Sequence, residues 1–195
     1  MGGGNCRIRS MERAVFIVVF VGFLVMNFRQ EADFRRRGLE VDGARPVGPR
    51  LFKAGKLSLL FCWLGAALQA AGLEIRMVPV PPALAMAAAG VFLVGFGILA
   101  AAYRDLGDAN KTGLPAEKTA LRTGGIYAYS RNPLYLGLYF MTLGAVLYAG
   151  CAVVLALGCV AVFSHHRSVL AEEKFLAERF GAEYEEYKRR VRRYL

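Results

Sequence analysis

Residues 124–137, Gly-Gly-Ile-Tyr-Ala-Tyr-Ser-Arg-Asn-Pro-Leu-Tyr-Leu-Gly, place several ligand-holding groups where a polar loop runs into an apolar helix. Gly124 and Gly125 allow a backbone turn and close approach to a ligand. Tyr127, Tyr129 and Tyr135 offer flat faces with a polar edge, and Arg131 can grip a carboxylate with two parallel hydrogen bonds. Further along the chain, Glu172 and Glu173 can accept bonds from an ammonium or from ribose hydroxyls, with His165, His166 and Arg167 just before them.

These groups need elements to bring them together, and the composition is that of a membrane protein. Of 195 residues 56% are hydrophobic, and mean hydropathy is +0.37, above the range of a soluble domain. Uncharged runs predict about five transmembrane helices: 14–28, 57–73, 83–103, 134–149 and 151–164. The first follows Arg7, Arg9 and Arg13 as a signal peptide's apolar region would, but no small-residue cleavage site follows, so it reads as an uncleaved span. Gly38, Gly43, Pro46, Gly48 and Pro49 make 29–56 a charged connector. Pro79, Pro81 and Pro82 suit a helix start, and the Ala and Gly of the third span favour close helix contact. The run from 134 to 164 is too long for one span and breaks near Gly150, which predicts a hairpin. Beyond it, Leu176, Phe180, Tyr184, Tyr187, Val191 and Tyr194 recur at steps of three or four, predicting an amphipathic helical tail interrupted at Gly181. The expected fold class is therefore all-α and integral to the membrane, with residues 1–103 as one region. Residues 104–195, comprising loop, hairpin and tail, form the second.

The net charge of +10 would suit nucleic acid in a soluble protein, but the apolar runs between the basic stretches make anionic lipid head groups the expected counter-surface. No nucleic acid partner is expected. The 29–56 connector, the 104–133 loop and the tail hold 21 of the 25 Lys and Arg. The positive-inside rule then puts all three on the cytosolic side, against the pull of the three N-terminal arginines. Three of the four cysteines lie inside apolar runs and read as small core residues.

The spans carry no ionisable group in their middle, which argues against a transporter or proton pump. Reactive groups gather at the cytosolic edge instead. Because the hairpin makes neighbours of its two open ends, the loop motif and the acidic pair should meet there and form a pocket for a zwitterionic, aromatic ligand. S-adenosylmethionine has the matching parts, namely an aminocarboxylate, a ribose, an adenine and a sulfonium, although residue chemistry alone does not select it over other nucleotides.

The segment 121–137, Leu-x-x-Gly-Gly-x-Tyr-x-x-x-Arg-Asn-Pro-x-Tyr-x-Gly, resembles the signature of the isoprenylcysteine carboxyl methyltransferase family and its bacterial and phospholipid-methyltransferase relatives. The tail is similar as well: Glu172-Glu173, then Leu176, Phe180-Gly181, Tyr184, Tyr187 and Val191. The resemblance implies an integral membrane methyltransferase with S-adenosyl-L-methionine in a cytosolic-face pocket and a lateral opening for a lipophilic acceptor. It implies that Thr119, Ala120, Leu121, Arg122, Tyr127, Asn132, Pro133, Leu134, Tyr135 and Glu172 line the cofactor. Asn132 stands where eukaryotic members usually carry His, keeping hydrogen bonding but losing a titratable ring. Arg167 is the nearest match to a family arginine thought to face the substrate. Arg131, Arg167 and Glu173 are thus the candidate catalytic residues.

A carboxylate acceptor of the isoprenylcysteine type needs no general base and is the expected substrate, entering from the bilayer of a bacterial or archaeal inner membrane. A phospholipid or other amine, which must first lose a proton, is the alternative. Blander readings exist for each feature. Glycines and Pro133 are ordinary helix-start punctuation, the tyrosines could form an interfacial belt, and two glutamates favour a helix N-terminus. On those readings the chain would be a non-catalytic membrane scaffold. His165 and His166, seven residues before the glutamates, could share a metal, but no further ligand cluster accompanies them and no metal site is expected.

Overall fold

The computed structural model describes residues 2–38, 45–107 and 120–195, with side chains from residue 10 onward. Six α-helices account for most of them: α1 (Gly2–Arg36), α2 (Pro49–Ala70), α3 (Pro82–Leu106), α4 (Pro133–Ala149), α5 (Ala152–Phe180) and α6 (Ala182–Arg190), with a 3-10 turn at Gly125–Ala128 before α4. Three helices begin with proline at their first position, Pro49, Pro82 and Pro133. There the missing N–H costs nothing and the ring fixes φ for the turn that follows.

Ser10–Arg36, α2, α3 and α5 are each long and apolar enough to cross a membrane, and α4 is apolar but only 17 residues long. The fold is all-α and integral to the membrane. At 1.5 Å per residue α4 reaches about 25 Å, short of a ~30 Å hydrocarbon core. Large apolar side chains such as Val18, Phe61, Val94, Val153 and Phe163 face outward, as expected of helices solvated by lipid.

The helices extend past the predicted spans. α1 runs on to Arg36 rather than ending near 28, because its charges pair along the helix, Arg35 with Glu31 and Arg37 with Asp33. α5 does not stop near Ser164: no glycine or proline lies between Ser164 and Gly181, so one helix carries the hairpin arm and the acidic pair together. The predicted break at Gly181 separates α5 from α6.

α3 packs chiefly on α4 and α2 on α5, so helices from both sequence regions share one core. Gly95, Gly137 and Gly144 allow the first contact. A Cβ on Gly137 would lie 2.8 Å from both the Gly95 carbonyl and the Leu99 nitrogen, and one on Gly144 would lie 2.7 Å from the Ala88 carbonyl. Only hydrogen fits between those backbones. Across the core Phe16 stacks on Tyr148 at 4.0 Å, Trp63 meets Phe23 edge-on at 4.8 Å, and the Trp63 indole N–H donates to Thr142 Oγ1 at 3.2 Å.

The hairpin turns at Gly150, whose φ of +56° favours glycine. Its carbonyl accepts the N–H groups of Met77 and Val78 at 2.9 and 3.1 Å, which docks the α2–α3 link on the turn. The opposite, open end of the hairpin is where α4 begins and α5 continues.

Candidate functional site

Antiparallel arms of equal length bring equal distances from Gly150 to one level. Tyr135 and His165 each lie fifteen residues from it, and their rings sit 5.9 Å apart. Two turns beyond on α5, Glu172 accepts the Tyr135 hydroxyl. The neighbouring Glu173, rotated about 100° around the helix, faces the other way. Its Oε1 accepts Arg131 Nη2 at 3.0 Å and Asn132 Nδ2 at 3.0 Å, and its Oε2 accepts Arg193 Nη2 at 2.9 Å. Two adjacent carboxylates therefore have separate tasks, one at a cavity and one in a buried ion network.

The cavity encloses about 490 Å³, within the range of small-molecule sites. From the loop come Ala120, Leu121 and Arg122, from the 3-10 turn Tyr127, and from the start of α4 Arg131, Asn132, Leu134 and Tyr135. α5 supplies Ser164, His165, Ser168, Glu172, Phe175 and Leu176, and α6 supplies Tyr184 and Tyr187. The remaining wall carries more aliphatic and aromatic groups beside a few polar ones: Phe23, Asn27, Gln30, Glu31 and Phe34 of α1, with Phe52, Gly55, Lys56, Leu59 and Leu60 of α2 and Leu106 of α3. One chamber thus joins an aromatic, hydrogen-bonding end to an apolar end between membrane helices.

The other sequence-derived candidates sit around this chamber. Pro133 is buried as the first residue of α4 behind the lining. Arg131 touches the chamber, but its guanidinium, 9% exposed, is engaged by Glu173 and by the carbonyls of Lys188 and Val191 at 3.3 and 2.9 Å. Arg167 lies on an outer face of α5, in a shallow recess with Val47, Leu51 and Leu170. Tyr129 is 79% exposed and points away. Thr119 lies outside the described residues. Among the described residues no three His, Cys, Asp or Glu side chains gather to hold an ion. His165 and His166 turn instead to the Ala161 carbonyl at 2.7 Å and the Tyr194 hydroxyl at 2.8 Å.

Three supports rest on contacts between distant segments that no local spacing specifies. Asp105, at the end of α3, accepts the Ile126 N–H at 2.8 Å. Gly125 lies against it at φ +62°, where a Cβ would collide with the carboxylate. Tyr187 donates its hydroxyl to the Tyr127 carbonyl at 2.6 Å, so the turn carrying Tyr127 is held by α3 on one side and α6 on the other. Burial pushes the Tyr127 hydroxyl well above the ordinary tyrosine range and that of Tyr187 up to about 12, so both stay protonated at neutral pH. Residues 191–193 then cross the front of α4: the Arg131 N–H donates to the Arg192 carbonyl at 2.9 Å, and Ser130 Oγ to the Arg193 carbonyl at 3.2 Å.

Two lining hydroxyls, Tyr184 and Ser164, are 1% and 2% exposed and have no hydrogen-bond partner within the described protein. A buried hydroxyl without a partner is costly, so both mark places where a ligand's polar atoms belong. With the aromatic faces of Tyr127 and Tyr135 and the Glu172 acceptor, the Tyr184 hydroxyl belongs to a set that fits a nucleoside bearing an aminocarboxylate, whereas Ser164 lies toward α2.

The comparisons with known proteins point to the same region. A family model described as phospholipid methyltransferase matches residues 83–183, which run from the start of α3 to the start of α6. A protein-S-isoprenylcysteine O-methyltransferase of Schizosaccharomyces pombe is 35% identical over 72 residues, 36% of this chain and 30% of that protein. The protein of the same name from Saccharomyces cerevisiae is 35% identical over 83 residues, 42% of this chain and 34% of that protein. The matched stretches span about a third of the length of these curated relatives.

Proposed function

Since the chain belongs to the phospholipid methyltransferase family, we propose that it is a membrane methyltransferase that uses S-adenosyl-L-methionine and acts on a lipophilic acceptor entering the chamber from the bilayer. The observation that carries this reading is the Tyr135–Glu172 pair set in a chamber with a polar, aromatic end and an apolar end. When bound, S-adenosylmethionine supplies a methyl group already activated by its sulfonium.

The protein's tasks are alignment and exclusion of water. Tyr127 and Tyr135 stack and wall the site. Glu172, steered by the Tyr135 hydroxyl, accepts hydrogen bonds from an ammonium or ribose. Tyr184 donates its unpaired hydroxyl, and Arg122 on the more exposed rim meets a carboxylate. Asn132 is fixed by Glu173 and by the Arg193 carbonyl at 3.3 Å, which holds the first turn of α4 in register. Arg131 and Glu173 act on the site through this lattice. Arg167, on its outer face, meets the acceptor's lipid surroundings.

The names of the two yeast relatives support an isoprenylcysteine-type carboxylate as acceptor. The description of the family model supports a phospholipid amine as the second reading. The distribution of Lys and Arg supports placing the site on the cytosolic face of the membrane. Equilibrium binding of S-adenosylhomocysteine to the purified protein tests the proposal. Binding is expected, and Glu172→Ala should weaken it at least tenfold while leaving the unfolding temperature in place. No binding by a folded wild-type protein would overturn the proposal and leave the scaffold reading.

A further inference from the structure

At the junction of the chamber's two ends stands a group that cofactor binding does not use. His165 lies level with Tyr135 on the cofactor side and opposite Gly55 and Lys56 of α2 on the apolar side. Gly55 sets the ring's place: a Cβ there would lie 2.7 Å from Ser164 Cβ and 3.4 Å from His165 Cε1, so α2 and α5 touch at this level. The ring's Nδ1 is committed to the Ala161 carbonyl at 2.7 Å. A carbonyl only accepts, so Nδ1 carries the hydrogen and Nε2 of the neutral ring keeps its lone pair. Beside it the buried Ser164 hydroxyl has no partner among the described residues.

We infer that His165 meets the methyl acceptor and takes a proton at Nε2, so that the chamber serves a protonated amine head group. This rests on the methyl-transfer reading above and chooses between its two acceptors. A carboxylate brings no proton to remove, and it would face a lone pair at Nε2. An ammonium donates to that lone pair, and Ser164 Oγ offers it a second acceptor. Lys56, on the same wall with its ammonium 4.9 Å from the Phe52 ring centre, suits the phosphodiester of the same head group. Phe23, Leu59 and Leu60 then take the acyl chains.

In the step, an N–H bond of the ammonium breaks and Nε2 gains the hydrogen. The electron pair left on the nitrogen forms the bond to the methyl carbon as that carbon's bond to sulfur breaks, its pair remaining on sulfur. The imidazolium afterwards releases its proton to water.

The test uses the whole protein in phosphatidylglycerol nanodiscs, with and without phosphatidylethanolamine, and N-acetyl-S-farnesylcysteine as the carboxylate alternative. His165→Gln can still donate to the Ala161 carbonyl but has no basic nitrogen, and His165→Ala opens space for added imidazole. Methylation of phosphatidylethanolamine should fall by about 100-fold in both, as for loss of a general base. Imidazole should restore it in His165→Ala, and S-adenosylhomocysteine affinity should stay within about threefold, the range of ordinary context effects. Without turnover, phosphatidylethanolamine should slow diethyl pyrocarbonate modification of His165, read by mass spectrometry. The inference is overturned if His165→Gln methylates phosphatidylethanolamine as well as wild type, or if wild type methylates only the farnesylcysteine. Failure of wild type to bind S-adenosylhomocysteine overturns the methyl-transfer reading and this inference with it.

Discussion

Replacing Glu173 by alanine should unfold the site before it disturbs any ligand. The carboxylate accepts five hydrogen bonds: Arg131 Nη2 at 3.0 Å, Arg131 Nε at 3.3 Å and Asn132 Nδ2 at 3.0 Å on one oxygen, Arg193 Nη2 at 2.9 Å and Nε at 3.1 Å on the other. Arg131 and Glu173 are 9% and 8% exposed, so the substitution strands a buried cation. Removing one partner of a buried pair costs about 3–5 kcal/mol. Arg131 Nη1 keeps the carbonyls of Lys188 and Val191, which places the loss near the lower end, about 3 kcal/mol. For a chain of this size each kcal/mol lowers the unfolding temperature by roughly 2–4 °C, so a drop of about 6–12 °C is expected in a thermal melt of the detergent-solubilised protein. Arg193 is 40% exposed, and Arg193→Ala should cost about 1 kcal/mol or less. The double replacement Arg131→Met with Glu173→Leu should recover most of the loss, because an apolar pair leaves no charge stranded. An unchanged melt for Glu173→Ala, or an equal drop for Arg193→Ala, would refute a buried ion network centred on Glu173.

Gly144→Leu should separate α3 from α4 at a cost of about 1–3 kcal/mol, whereas Gly97→Ala, with open space at its Cβ, should leave the melt unchanged. Asp105→Ala should free the turn that carries Tyr127 and weaken S-adenosylhomocysteine binding several-fold, measured by calorimetry, with Asp105→Asn intermediate. Tyr187 should make stability fall at high pH. The folded protein holds its proton up to about 12 against an ordinary 10.0, so stability is full below about pH 10 and declines as pH rises toward 12. Tyr187→Phe should make that decline shallower in denaturant titrations at stepped pH.

Much of the fold could be read locally. Apolar runs marked the membrane helices, Pro82 and Pro133 marked helix starts, and Gly150 and Gly181 marked the turn and the break, whereas Pro49, read as part of the connector, opens α2 instead. The far end of α5 was less legible. A change from apolar to charged residues at Ser164 reports a change of solvent, whereas helix continuity depends on backbone propensity, which stays favourable to Phe180. That continuity carries Glu172 to Tyr135. The acidic pair was visible as a pair, but its division between chamber and ion network follows from helix geometry and from partners distant in sequence. Arg131 read as a ligand clamp because guanidinium chemistry allows it; Glu173 and two carbonyls occupy that fork instead. Asp105 and residues 191–193 act through contacts that no spacing within their own segments announces.

Transfer of a labelled methyl group is the most direct test of the central claim. Purified protein in phosphatidylethanolamine-containing nanodiscs, given methyl-labelled S-adenosylmethionine, should pass label into the lipid phase as a base-stable methylamine. Glu172→Gln should abolish the transfer while its unfolding temperature is kept. A folded wild-type protein that leaves the label in the cofactor, with lipid and farnesylcysteine both offered, would contradict the account.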